Sequence, residues 1–291
     1  MVKINDIIGC MREMAPEGLA EPWDNCGLII ATDKTYTQCV TVCLDINRAV
    51  VDSAVKAGSH LIISHHPLIF SPIKRIGGDG EQSQLIRALI KNDIAVYSAH
   101  TNVDKTYGGL NDLLAGIIGL EIPESGAAGA GGAEFAGTGE QLSYYRYGSL
   151  PYDYTVNEFH RHVCSRLKLT DLIVYAPPAQ YVTGDKLNTY ITKPIRNVVV
   201  MCGSYSLDLA AMAAFDADAL LCGEIKYHDA LDLTGTGLHI VQAGHHGTER
   251  FFINLAGKWI KEKYADVDIL GVGFADSPAY FYHGESINGD V

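Results

Sequence analysis

Two adjacent histidines, His65 and His66, close the short apolar run LIIS in the string HLIISHHPLIF. A β-branched run that ends in two imidazoles and then Pro67 reads as a buried strand delivering neighbouring metal ligands or acid/base groups to a sheet's carboxyl edge. Open α/β sheets keep their chemistry at that edge. A second apolar run, residues 94–99, ends in His100, Thr101, Asn102 and Asp104. A third, residues 238–243, is followed by a turn at Gly244 and then by His245 and Glu249 in what reads as the first turn of a helix. A four-residue spacing puts that imidazole and carboxylate on one helical face. His246, three residues before Glu249, is also helix-compatible, so spacing alone leaves both histidines open.

Imidazole and carboxylate suit zinc, iron(II), manganese and related divalent ions, and none of these strings holds the paired thiolates of a structural zinc site. His65, His66, Asp104, Glu249 and one histidine of the 245–246 pair are too many for a single catalytic zinc with its open position. They suit two ions about 3.5–4 Å apart. Asp104 and Glu249 are the candidate bridges, because a carboxylate offers two oxygens to neighbouring ions. An ion pair of this kind lowers the pKa of a bound water and stabilises charge on an attacked centre. The expected function is therefore metal-dependent hydrolysis of a small molecule, with a non-catalytic metal-binding or metal-handling assembly as the alternative.

The strings SHHPLIF, SAHTNVD and GHHGTE, with EPWDNCGL near the start and GEIKYHDAL between them, resemble the interacting-factor-three-like family of dinuclear-metal proteins, also labelled GTP cyclohydrolase I type II homologues. The resemblance covers nearly the whole chain in the right order. It implies a two-metal site made by His65, His66, Asp104, His245 and Glu249, so that His245 rather than His246 is the ligand. It further implies two similar α/β halves, a ring-shaped hexamer with sites facing an internal cavity, and a nucleotide such as GTP as substrate. The chain departs from the family pattern at Glu224, where many relatives carry Asp, and in the Gly/Ala-rich stretch of residues 125–139.

Other residues divide between chemistry and packing. His100, four before Asp104, is a candidate to orient a ligand or a water. His228 and Glu224, near the end of the 219–222 run, are candidate acid/base groups. Trp23, Asp24 and Asn25 form either a substrate-facing loop or, as preferred here, a core tryptophan and a turn. His160 and His162 point to different faces of one helix, and His60, His239 and His283 have no carboxylate at useful spacing. The Gly77–Gly80 turn lacks the Lys-Ser/Thr of a phosphate-binding loop.

These groups need strands and helices to carry them. Residues 39–45, 60–64 and 94–99 read as strands alternating with helices at 48–56, 82–91 and 110–118, which makes a βαβαβα half. Strands are expected again at 143–150, 172–176, 198–202, 219–222, 238–241 and 269–274, with helices at 156–167 and about 248–264. The expected division is a first α/β half, 1–124, a linker and middle subdomain set apart, 125–190, and a second α/β half, 191–291. The metal site then lies at strand carboxyl ends between the halves.

Composition agrees. A chain of 291 residues, 47% hydrophobic, favours two domains at roughly 150 residues each. A net charge of −12 argues against broad nucleic-acid binding, which needs clustered cations, and suits a soluble assembly. No apolar stretch approaches the ~20 residues of a membrane span, and the first residues lack a signal-peptide pattern. The seven cysteines form no CxxC pair and read as small buried hydrophobes. A cytoplasmic location is expected.

Overall fold

The structure is a computed structural model that describes residues 1–122, 144–176, 193–207 and 209–273. The Gly/Ala-rich stretch, the end of the strand expected at 269–274, and His283 lie outside the described residues.

The chain opens with β1 (Val2–Lys3), α1 (Ile4–Met14), β2 (Gly27–Ile30), β3 (Tyr36–Thr37) and β4 (Cys39–Cys43). It continues through α2 (Arg48–Ala57), β5 (Leu61–Ser64), α3 (Glu81–Lys91), β6 (Ala95–Ser98), α4 (Thr101–Lys105) and α5 (Leu110–Ile118). Then come β7 (Arg146–Tyr154), α6 (Val156–Leu167), β8 (Ile173–Tyr175), β9 (Ile195–Ser204), α7 (Leu209–Ala213), β10 (Ala219–Glu224) and α8 (Tyr227–Gly235). The last elements are β11 (His239–Gln242), α9 (His245–Glu249), α10 (Phe252–Lys263) and β12 (Asp268–Gly271).

Two five-stranded sheets form, in the orders β12-β4-β5-β6-β2 and β7-β9-β10-β11-β8. In the first, β12, β4, β5 and β6 run parallel and β2 closes the edge antiparallel. In the second, β9, β10 and β11 run parallel and β7 and β8 close both edges antiparallel. Every residue of β4, β5 and β6 is buried, as a parallel strand covered on both faces requires. Alternation along β5 assigns the faces: Leu61 and Ile63 join one core that also takes Val198, Leu221 and Val241 from the second sheet. Ile62 instead joins a layer under α2 and α3 with Val51 and Leu89. The mixed α/β class, with two five-stranded sheets, is thus observed.

The division of the chain differs from the expected one. Strand β12, expected in the second half, pairs with β4 of the first sheet, and α10 packs on α1. The expected middle subdomain is not set apart: β7 and β8 are the edge strands of the second sheet, and Phe159, Val163 and Leu167 of α6 enter the shared core. A strand's own residues do not say which sheet it joins, because edge pairing depends on where the connecting helix returns it. The long helix expected at 248–264 is two helices, α9 and α10, meeting at Arg250 and Phe251. Among the described residues no helix is long and apolar enough to cross a membrane.

Candidate metal centre

Strands β5 and β6 are adjacent and parallel, with Ser64 opposite Ser98, so the residues that follow them leave the sheet side by side. His65 and His66 follow β5, and His100 and Asp104 come from the turn after β6 and from α4. From the second sheet, α9 follows β11 and carries His245 and Glu249. His65, His66 and His100 bring ligand atoms within 4.8 Å of one another, and so do His66, His245 and Glu249.

Each of the four imidazoles is held at Nδ1 by an oxygen. His65 Nδ1 donates to the carbonyl of Ala99 at 2.9 Å, which fixes its tautomer because a carbonyl can only accept. His66 Nδ1 lies 2.8 Å from Asp45 Oδ1, and His100 Nδ1 lies 2.9 Å from Asp24 Oδ1. His245 Nδ1 lies 3.2 Å from Glu224 Oε1. This is how metal-binding histidines are oriented, with Nε2 left for the ion.

The Nε2 atoms converge on carboxylates. His66 and His245 place Nε2 at 3.0 and 2.9 Å from Glu249 Oε2, while His65 Nε2 lies 3.6 Å from Glu249 Oε1 and 3.7 Å from Asp104 Oδ1. Yet His65 Nε2 and Glu249 Oε2, both buried, have no hydrogen-bond partner of acceptable geometry. A buried polar atom left unpaired is costly, so a set aimed at one point without pairing fits a cation at that point. The two oxygens of Glu249 face different imidazoles, which suits a bridge.

Charge tells the same story. Burial pushes the Asp104 carboxyl up. Burial acts on Glu249 in the same sense, but His65, His245 and His66 more than reverse it and hold that carboxyl well below its usual range. Burial opposes a charged His66, yet Asp45 and Glu249 raise it to about 10, and contact with Glu249 raises His245 to about 8. Protons therefore neutralise the carboxylates of the metal-free cluster, and a divalent ion would displace them.

The surrounding chain is shaped to this cluster. Gly203, at the end of β9, has φ +62, and a Cβ there would stand 2.2 Å from Glu249 Oε1. Asp24 also accepts hydrogen bonds from the Thr101 amide and hydroxyl, so it seats the start of α4 as well as His100. Burial works against its charge, but His100, Cys26 and Thr101 hold the Asp24 carboxyl well below the usual range. Asn111 joins the halves beside the site, donating to the Asp104 carbonyl and accepting from the Cys202 amide.

Of the five expected ligands, His65, His66, His245 and Glu249 fall within the two ligand groups, and Asp104 Oδ1 lies 3.7 Å from His65 Nε2. His100, expected to orient a ligand or a water, stands among the ligand atoms, grouped with His65 and His66. Glu224, expected as an acid/base group, faces His245 Nδ1 and accepts from Ser204, a placement that can orient His245. His228 is exposed on α8 beside Tyr227 and enters neither ligand group. Trp23, expected in the core, is 59% exposed and stands beside Phe70 and His100. Asp24, preferred in the sequence as a turn residue, instead orients His100, and Asp45, which ends the strand expected at 39–45 and carries no expected role, orients His66.

Parallel strands from two sheets that end on one shared histidine–carboxylate cluster define an α/β protein with a candidate divalent-metal centre between its halves. The chain belongs to the Duf34/NIF3 (NGG1p interacting factor 3) family, whose pattern matches residues 2–278. It is 30% identical over 288 residues to a GTP cyclohydrolase 1 type 2 homolog of Clostridium perfringens, covering 96% of this chain and 100% of that one. A homolog of the same name from Streptococcus pneumoniae is also 30% identical, over 96% of this chain and 98% of its own. Among solved structures, a Bacillus cereus protein related to NIF3 superposes with a TM-score of 0.80 at 25% identity, over 96% of this chain and 99% of that one. Reduced HcgD from Methanocaldococcus jannaschii superposes at 0.68 with 26% identity, over 93% and 97%.

Proposed function

We propose that the protein is a dinuclear divalent-metal-dependent hydrolase acting on a nucleotide or similar small molecule. The observation that carries this reading is the convergence of His65, His66 and His245 on Glu249, with His100 grouped beside His65 and His66, and with His65 Nε2 and Glu249 Oε2 buried and without a hydrogen-bond partner of acceptable geometry. His65, His66, His100, Asp104, His245 and Glu249 would hold two ions of zinc, iron or manganese. Such a pair, when bound, supplies an activated water at neutral pH and stabilises charge on the attacked centre. Asp45, Asp24, Glu224 and the Ala99 carbonyl hold the imidazoles in place. Trp23 and Phe70, exposed beside His100, offer aromatic faces to a planar base such as the guanine that the relatives' name suggests. The expected assembly is a cytoplasmic ring of six.

A second reading, a metal-binding assembly without turnover, is favoured by a separate observation. Among the described residues, Glu224 is occupied with His245 and Ser204, and His228 stands outside both ligand groups, so neither candidate acid/base is free at the cluster.

Elemental analysis of protein purified without chelator tests the centre, with about two ions per chain expected for a two-metal site. His65→Ala/Glu249→Ala should fold and carry trace metal only; full metal content there would remove the assignment. Hydrolysis of GTP and other nucleotides by apo protein restored with manganese, zinc or iron(II) then separates the readings. Activity that is absent across the panel, or equal in His65→Ala, leaves the metal-binding assembly as the account. Light scattering decides the ring of six.

A further inference from the structure

A cavity of about 380 Å³ lies beside the metal centre, at the carboxyl ends of the neighbouring strands β12 and β4. Asp45, the residue that holds His66, forms part of its wall, but none of the expected metal ligands lines it. Its volume is in the range of small-molecule sites, about 300–1,000 Å³.

Three cations line this cavity, Arg166, Lys168 and Arg250, against a single carboxylate, Asp45, which His66 already engages. In a chain of net charge −12 that balance is unusual. Among the described residues no carboxylate pairs with any of the three. Two of them are anchored to the chain: Arg166 Nε donates to the Ile117 carbonyl at 2.6 Å, and Arg250 donates to the Leu167 carbonyl while its guanidinium lies 5.3 Å over the Phe251 ring. A guanidinium has five N–H donors, so each keeps donors for a ligand. Lys168, the left-handed cap of α6, is exposed. The ten-residue helix α2 also starts at this cavity, where the Asn47 side chain caps it by accepting from the Val50 amide and Ala49 stands in its first turn, at the positive end of the helix. Leu44, Phe251, Ile253 and Val272 make the remaining wall apolar.

We propose that this cavity binds the phosphate group of a small phosphorylated organic molecule, Arg166, Lys168 and Arg250 taking the anion and the apolar wall the organic body. Guanidinium groups match the spacing of phosphate oxygens, and three cations exceed what one carboxylate needs. The assignment stands on this cavity alone and holds whether or not the metal centre turns anything over.

Calorimetric titration of the chelator-treated full chain tests it, with phenyl phosphate, inorganic phosphate and phenol as probes. Phenyl phosphate should bind, inorganic phosphate more weakly, and phenol not at all. Charge reversal at Lys168, Lys168→Glu, should weaken phenyl phosphate about tenfold or more, since it replaces a close attraction by a repulsion. Ala49→Trp, an exposed position that fills the cavity, should weaken it too, with melting temperatures showing both variants folded. His65→Ala/Glu249→Ala should leave the affinity within about twofold, a change of less than half a kcal/mol. Absence of phenyl phosphate binding, equal binding by Lys168→Glu and Ala49→Trp, or loss of binding in the metal-ligand variant would each overturn the proposal.

Discussion

His66 faces carboxylates from different sheets at both ring nitrogens: Nδ1 lies 2.8 Å from Asp45 Oδ1, after β4, and Nε2 lies 3.0 Å from Glu249 Oε2, at the end of α9. The ring therefore joins the halves, and its direction depends on Asp45. Removing an oxygen that orients a ligand imidazole costs about 10–100-fold in metal affinity. Asp45→Ala is expected to lose that much in chelator competition, and its metal-free form, lacking one of the two carboxylates that stabilise a charged His66, should melt below the parent. Unchanged affinity would mean that His66 needs no anchor.

Glu224 gives a sharper comparison, because a general acid/base and a positioning carboxylate fail differently. If it only holds His245, Glu224→Gln, whose amide oxygen can still accept from Nδ1–H, should keep most metal affinity, and Glu224→Ala should lose about tenfold. An acid/base role predicts instead that both variants bind metal normally and that the glutamine variant loses about a hundredfold in turnover. Metal titration and, where activity is found, turnover decide between them.

The strand ends and their ligands were legible because chemistry and periodicity coincide there: LIIS before His65 and the 94–99 run before His100 are buried parallel strands whose letters are apolar throughout. The orienting groups were not, since Asp24 reaches His100 across 76 residues of chain, and the His65 anchor is a backbone carbonyl that every residue possesses. The same limit hid β12, which joins β4 from the far end of the chain. Trp23 misled because a tryptophan in a short motif suggests a core position, whereas the structure leaves it exposed at the cluster's side.

Gly203 probes the shape of the site without removing a ligand. Its φ of +62 favours glycine, and a Cβ would collide with Glu249 Oε1. Gly203→Ala should cost roughly 1–2 kcal/mol in stability from the backbone conformation alone. It should also lower metal stoichiometry by displacing the carboxylate that faces three imidazoles. Full stoichiometry with only the stability loss would show that Glu249 can move without cost.

The last expectation lies away from the metal. His239, at the start of β11, is 5% exposed, and its ring stacks on His160 of α6 with the two Nε2 atoms 2.7 Å apart. Burial first, and then His160, hold His239 down to about 4 from its ordinary 6.5. The unfolded chain therefore binds the extra proton between those values, and stability rises with pH across that window. The contribution is complete above about pH 6.5 and is lost as pH falls towards 4, with a depth of about 3 kcal/mol. Burial depresses His160 in the same direction. Urea melts of the parent and His239→Gln at pH 7.5 and pH 5 measure the difference, and subtracting one protein from the other cancels the titration of the distant metal ligands. The parent should lose more stability than the variant between the two pH values, by 1 to 2 kcal/mol or about half the full depth. Equal losses in both proteins would mean that the stacked pair takes up a proton without cost to the fold.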